Sequence, residues 1–147
     1  MSDQHSRDPR DPSTWPYLFT VAEANALLPD IVPILTQLRA RKVALDTALA
    51  ALRKILPAMR LNGHAVEAAS LEERIDELTE ELTAGIALLN GQGIEIKSLD
   101  HGLIDFPSAR DGRVVYLCWR LGEGPYLRYW HEIDAGFAGR RRLDRGA

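Results

Sequence analysis

Residues 103–121 read Leu103-Ile104-Asp105-Phe106-Pro107-Ser108-Ala109-Arg110-Asp111-Gly112-Arg113-Val114-Val115-Tyr116-Leu117-Cys118-Trp119-Arg120-Leu121. Apolar and aromatic residues dominate two runs, 103–107 and 113–121, and Asp111-Gly112 lies between them. Asp-Gly between alternating runs is a hairpin signal, because both residues tolerate the positive φ that a two-residue turn requires. Successive side chains of a strand point to opposite faces. One face then holds Ile104, Phe106, Val115, Leu117, Trp119 and Leu121, all apolar; the other holds Asp105, Tyr116 and Cys118. A two-residue turn sets Asp105 opposite Cys118.

The alternation extends on both sides. Residues 94–99 and 126–133 complete a predicted four-stranded antiparallel β-meander, with Asp100-His101-Gly102 and Gly122-Glu123-Gly124-Pro125 as its other turns. A three-residue first turn puts Lys97 opposite Asp105, with Glu95 on the same face. The last strand is open to two registers. A four-residue turn brings Tyr129 and His131 to the Cys118 face, and a one-residue change sends His131 to the other side.

Upstream the period is helical. Thr20-Val21-Ala22-Glu23 is a capping box. A seam follows through Ile31, Leu35, Leu38, Lys42, Leu45, Leu49, Leu52 and Leu56, with Lys42 its one polar member. Pro29 and Pro33 predict a kink or a short first helix. Pro57 and Asn62-Gly63 mark a connection, and the second seam is Leu71, Ile75, Leu78, Leu82, Gly85 and Leu89. Ser70-Leu71-Glu72-Glu73 repeats the capping box, although the pattern allows a start near Val66. Asn90-Gly91 reads as the stop. Two seams on a short link predict a long antiparallel helical hairpin. The fold expected is α+β, one domain over 17–143, with the hairpin in 17–91 and the sheet in 92–134. Residues 1–16 and 144–147 are expected to be tails, the first disordered, with Trp15 as its one large apolar side chain and His5 a mobile tail residue.

The 147 residues suit one domain. A net charge of −3 lacks the basic excess of a nucleic-acid binder. No apolar run approaches a membrane span, and residues 1–16 carry no hydrophobic signal core. Cys118, the single cysteine, excludes an intramolecular disulfide. A cytoplasmic location is the expectation.

Asp105, Cys118 and His131 are the candidate metal ligands. Carboxylate, thiolate and imidazole all bind zinc or a similar divalent ion, and three protein ligands leave a position for water. Against this stands a plain structural reading: Lys97 pairs with Asp105, Cys118 fills a small space, and His131 hydrogen-bonds a neighbour. A cysteine nucleophile assisted by His131 is a third. Tyr116, Glu123, Tyr129 and Arg140 are candidate ligand-binding residues. Gly136-Phe137-Ala138-Gly139-Arg140 can wrap an anion, although it lacks a phosphate-loop pattern. Asp100-His101 at a hairpin tip is a weaker second site.

Several blocks resemble a known family. These are Phe19-Thr20-Val21-Ala22-Glu23-Ala24-Asn25, Leu103-Ile104-Asp105-Phe106-Pro107, Leu117-Cys118-Trp119-Arg120-Leu121-Gly122-Glu123, Trp130-His131-Glu132 and Gly136-Phe137-Ala138-Gly139-Arg140. They are similar to the bacterial domain-of-unknown-function family numbered 2203, from about Phe19 to about Leu143. The resemblance implies a small bacterial cytosolic protein and carries no activity, cofactor or catalytic assignment. It draws attention to Asp105, Cys118, Glu123, His131 and Arg140, which fall inside the matching blocks.

Two functions follow as expectations. The first is a self-associating, non-enzymatic binding protein, a homodimer, because two amphipathic helices and one small sheet leave apolar surface uncovered. The second is a metal-dependent, hydrolase-like enzyme using Asp105, Cys118 and His131, with Glu132 or Glu123 as base.

Overall fold

The computed structural model describes residues 8–55, 57–59 and 63–143. His5, Leu56, Asn62 and the 144–147 tail lie outside the described residues. The elements run α1 (Val21–Arg53), a single turn α2 (Pro57–Met59), α3 (Ala65–Gly91), β1 (Glu95–Ser98), β2 (Leu103–Arg110), β3 (Arg113–Arg120), β4 (Tyr129–Glu132) and β5 (Arg141–Arg142). The strands form one antiparallel sheet in the order β1-β2-β3-β4-β5.

The Thr20 capping box is complete: the Glu23 amide donates to the Thr20 hydroxyl at 3.0 Å, and the Thr20 amide to Glu23 Oε1 at 2.9 Å. α1 then runs through Pro29 and Pro33 as one continuous helix, not a short first helix. Each proline removes one backbone hydrogen bond. Around them Leu28, Ile31 and Leu35 are fully buried, and that packing outweighs the missing bonds. α3 begins at Ala65 without a side-chain cap, which leaves Ser70-Leu71-Glu72-Glu73 inside the helix rather than at its start. Its end is a Schellman motif. The Gly93 amide donates to the Asn90 carbonyl at 3.0 Å and the Ile94 amide to the Leu89 carbonyl at 3.1 Å. Gly93 has φ +90°, so the left-handed residue lies just beyond Asn90-Gly91. Ile94 and Leu89, the apolar pair of that motif, are both fully buried.

The helices are antiparallel. Leu38 lies so close to Gly85 that a Cβ there would stand 2.3 Å from Leu38 Cδ2, and Arg41 meets Glu81 at 2.8 Å. Lys42, the polar member of the seam, bonds Asp46 at 2.7 Å and reaches Asp100 at 3.4 Å, tying the hairpin to the β1–β2 turn. Asp100 of the proposed second site is taken up there, and His101 is exposed.

One core joins hairpin and sheet. Ala24, Leu28, Ile31, Leu35, Leu38, Leu82 and Leu89 pack against Ile94, Ile104, Phe106, Val115, Leu117, Trp119 and Trp130. These are the apolar sets that alternation assigns to the helix side. Asp111 and Gly112 have φ of +50° and +78°, as a two-residue hairpin turn needs.

The sheet differs from expectation in several places: β4 covers only Tyr129–Glu132 of the expected 126–133, and β5 lies beyond the expected range 92–134. It has five strands, not four. β5 is a two-residue pairing of Arg141 with Trp130 and Arg142 with Tyr129, with the Arg141 guanidinium 5.3 Å from the Trp130 ring centroid, and no apolar alternation announces it. β2 continues past Pro107 to Arg110. β1 pairs only with Leu103, Ile104 and Asp105, so the missing proline N–H falls where no partner strand needs it. The Pro107 carbonyl instead accepts the Phe19 amide at 2.7 Å. A bulge between Ile96 and Ser98 shifts the first register, so that Glu95, not Lys97, faces Asp105.

Residues 8–16 also differ from a disordered tail. The Val114 amide donates to the Arg10 carbonyl at 2.8 Å, and Trp15 packs edge-on against Tyr116 with centroids 6.2 Å apart. Arg10 bonds Asp134 at 2.6 Å. Backbone pairing and one large ring anchor a segment whose composition alone reads as unstructured.

Candidate metal centre

Pairing across β2, β3 and β4 builds the centre. Asp105 is opposite Cys118, Cys118 is opposite Tyr129, and His131 is opposite Tyr116, one diagonal step from Cys118. The register that places His131 on the Cys118 face is therefore the one adopted. One donor atom from each of Asp105, Cys118 and His131 lies within 4.8 Å of the other two. All three residues are buried, at 1%, 0% and 2% exposure. Zinc bonds of about 2.0–2.3 Å place tetrahedral ligands about 3.3–3.8 Å apart, so the widest pair must close by about 1 Å around an ion.

His131 is held from both sides. Nδ1–H donates to the Glu132 carbonyl at 2.7 Å, and Nε2 lies 3.0 Å from Asp105 Oδ2. A carbonyl only accepts, which fixes the proton on Nδ1 and turns Nε2 toward Asp105. Burial lowers the imidazole pKa, but the bonds to Asp105 and the Glu132 carbonyl outweigh it, and the net shift is upward. The second Asp105 oxygen, Oδ1, is buried with no hydrogen-bond partner among the described residues. Burial, then the Asp105 charge beside it, pushes the Cys118 thiol up to about 12, with Arg140 opposing and a contact of the thiol with the Asp105 carboxylate adding to the rise. A thiol so raised is a poor nucleophile. His131 is also engaged by Asp105, so the assisted-cysteine reading loses both its thiolate and its base.

The other candidates are each engaged by a neighbouring side chain. Arg140 Nη2 donates to both Glu123 oxygens, at 2.5 and 2.7 Å, and its guanidinium lies 4.0 Å from the Tyr129 ring centroid. The anion-wrapping loop is corrected accordingly: its arginine is neutralised by Glu123. The loop's Phe137–Gly139 stretch is a 3-10 turn, with Gly139 against Ala135. Tyr116 donates to Glu95 Oε2 at 2.8 Å, and burial with that bond raises its pKa. Lys97 bonds Glu95 at 2.7 Å, which replaces the expected pair with Asp105. Glu132 is gripped by Arg113 through two bonds of 2.8 and 2.5 Å, and that contact lowers its pKa. Glu132 and Glu123 are thus both salt-bridged, which removes each as a free base.

A pocket of about 290 Å³ adjoins the centre. Asp105 and His131 line it together with Lys97, Leu103, Ile133 and Phe137. Tyr116, Glu123, Tyr129 and Arg140 do not. Sequence reasoning missed Phe137 as a wall, because the stretch after 133 reads only as an irregular end; Gly136, with φ +68°, was the local sign of a turn there.

The chain matches the family described as Uncharacterized conserved protein (DUF2203) over residues 17–143. No curated protein and no solved structure matches it. No helix among the described residues is long and apolar enough to cross a membrane.

Proposed function

We propose that this chain, which belongs to the DUF2203 family, binds one divalent transition-metal ion through Asp105, Cys118 and His131. The observation that carries the reading is the unpartnered Asp105 Oδ1, buried beside an imidazole and a thiol. A buried oxygen without a partner costs about 1–3 kcal/mol, and a cation bound there would offset that cost. The tether from His131 Nδ1 to the Glu132 carbonyl is the second feature in its favour, because metal-binding imidazoles are usually oriented in this way. Charge balance is the third. Carboxylate, imidazolium and thiol sum to zero; carboxylate, neutral imidazole, thiolate and a dication also sum to zero. Exchange of two protons for one ion therefore leaves no net charge in the interior. Nitrogen and sulfur donors favour zinc or cobalt over magnesium or calcium.

Three protein ligands leave a position for water, and a metal lowers the pKa of such a water toward neutrality. Metal-assisted hydrolysis is the enzymatic extension of the same reading. The decisive experiment is metal analysis of protein purified without an affinity tag, followed by calorimetric titration with zinc. One ion per chain is expected, with zinc binding weakened in Asp105→Asn and in Cys118→Ser. Metal-free wild-type protein that takes up no added zinc would sink the proposal.

A second reading, self-association of the helical hairpin, is supported by apolar side chains on its surface: Val43, Leu49, Val66 and Leu88 are all exposed. Light scattering at tens of micromolar should give a dimer, and Leu49→Lys a monomer. Leu49 is already 37% exposed, so the lysine can reach water without unfolding the chain. A wild-type monomer at that concentration ends this reading.

A further inference from the structure

The pocket beside Asp105 and His131 has a chemistry of its own. Its volume of about 290 Å³ is at the small end for a ligand site, enough for a few carbons and too little for a peptide or nucleotide. Leu103, Ile133 and Phe137 give it apolar walls, and Lys97 is the only lysine or arginine among its lining residues. Lys97 is a bulge residue, displaced from the position opposite Asp105 that a regular strand would give it, and it still lines the pocket. Its ammonium is anchored 2.7 Å from Glu95 Oε1 and 4.6 Å from the Tyr116 ring centroid. An ammonium has three donors, and the bond to Glu95 uses one.

We infer that the pocket takes a small monocarboxylate with a short apolar tail, bound between the open position of the metal and Lys97. The inference rests on the metal reading above. The ion offers an open coordination position and Lys97 its remaining ammonium donors, both beside Asp105 and His131, and the tail would lie against Leu103, Ile133 and Phe137. One negative charge fits better than two. Asp105 and Asp134 line the same pocket and Glu95 holds Lys97, so a dianion such as inorganic phosphate meets more repulsion than a carboxylate does.

The test uses protein loaded with Co²⁺, whose visible spectrum reports the ligands of the ion. Metal stoichiometry is measured first; a chain that takes up no Co²⁺ overturns the metal reading, and this inference with it, before any anion is added. With one Co²⁺ bound, butyrate should change the spectrum saturably, 1-butanol should not, and inorganic phosphate should bind more weakly than butyrate. Lys97→Met should keep its Co²⁺ and its melting temperature and bind butyrate about tenfold more weakly or worse, as loss of a charge-assisted hydrogen bond requires. Lys97→Arg should recover part of the affinity. A loaded protein indifferent to butyrate, a Lys97→Met variant that binds it as tightly as wild type, or tighter binding of phosphate would each overturn the inference while leaving the metal site standing.

Discussion

Both faces of the sheet are buried at β3, and they differ in how completely they are satisfied. β3 is buried at six successive residues, Val114 to Trp119, so neither face is open to water. On the helix side, Phe106, Leu117 and Trp119 meet apolar partners from the hairpin, and the Trp119 indole N–H donates to the Gly124 carbonyl at 3.0 Å. On the other side, Asp105 and His131 hold each other, Asp105 Oδ1 has no partner among the described residues, and a pocket opens beside them. Burial on the first face has an obvious driving force in apolar area removed from water. Burial on the second does not, because a carboxylate and an imidazole are costly to remove from water. That asymmetry separates the face that folds the chain from the face that bears a site.

The comparison breaks most readily on the apolar face. Phe106→Ala should destabilise the protein by about 3–5 kcal/mol, through lost transfer energy and the cavity left behind. At low temperature, where the variant stays folded, zinc stoichiometry should be unchanged. Denaturant unfolding gives the first quantity and calorimetry the second. A Phe106→Ala chain that is folded but no longer binds zinc would show that the two faces are not separable.

Asp105→Asn is the matching change on the polar face. The amide keeps the volume and loses the charge, so zinc affinity should fall by about a hundredfold or more, roughly 2.7 kcal/mol. Destabilisation should be smaller than for Phe106→Ala, about 1–3 kcal/mol, because a charged hydrogen bond to His131 is replaced by a neutral one. If Asp105→Asn binds zinc as wild type does, the carboxylate is no ligand.

Much of this architecture is legible from residue order. Alternation assigns Ile104, Phe106, Val115, Leu117 and Trp119 to the core, and the Asp111-Gly112 turn alone fixes Asp105 opposite Cys118. What is not legible depends on backbone events with no side-chain signature. The bulge at Lys97 puts Glu95 across from Asp105, and the β5 pairing uses two exposed arginines. His131 was open between two faces because the link before β4 has no diagnostic turn. The burial of the site face is not legible for a related reason. Trp15 and the Phe137–Gly139 turn cover part of it, and both lie in stretches whose composition reads as irregular.

Those covers give a smaller test. Removing residues 1–16 should cost about 1–2 kcal/mol, since it deletes the Trp15–Tyr116 contact and the Arg10 bonds to Val114 and Asp134. For a chain of this length that is a melting-temperature drop of about 5 °C. Removing only residues 1–7 leaves every one of those contacts intact and should leave the melting temperature unchanged. Equal melting temperatures for both truncations would mean that the strap over Tyr116 contributes no stability.

The smallest expected effect is a matter of sign. His131 in the metal-free fold has a pKa above its unfolded value of about 6.5, so the fold holds its proton more tightly than the unfolded chain does. The stability this gives is fully present below the unfolded pKa and is lost as pH rises through the folded one. Metal-free protein should therefore become less stable across neutrality, and His131→Gln should flatten that slope. Zinc reverses it. With the ion in place, imidazole and thiol are already deprotonated in the fold, whereas the unfolded chain still binds those protons, so stability at fixed excess zinc should rise with pH. Two denaturation series across pH 5.5–8.5, one with chelator and one with zinc, should diverge as pH increases. Parallel series would mean that zinc does not displace the proton shared by His131 and Asp105, and the polar face would then be a hydrogen-bonded pair rather than a metal centre.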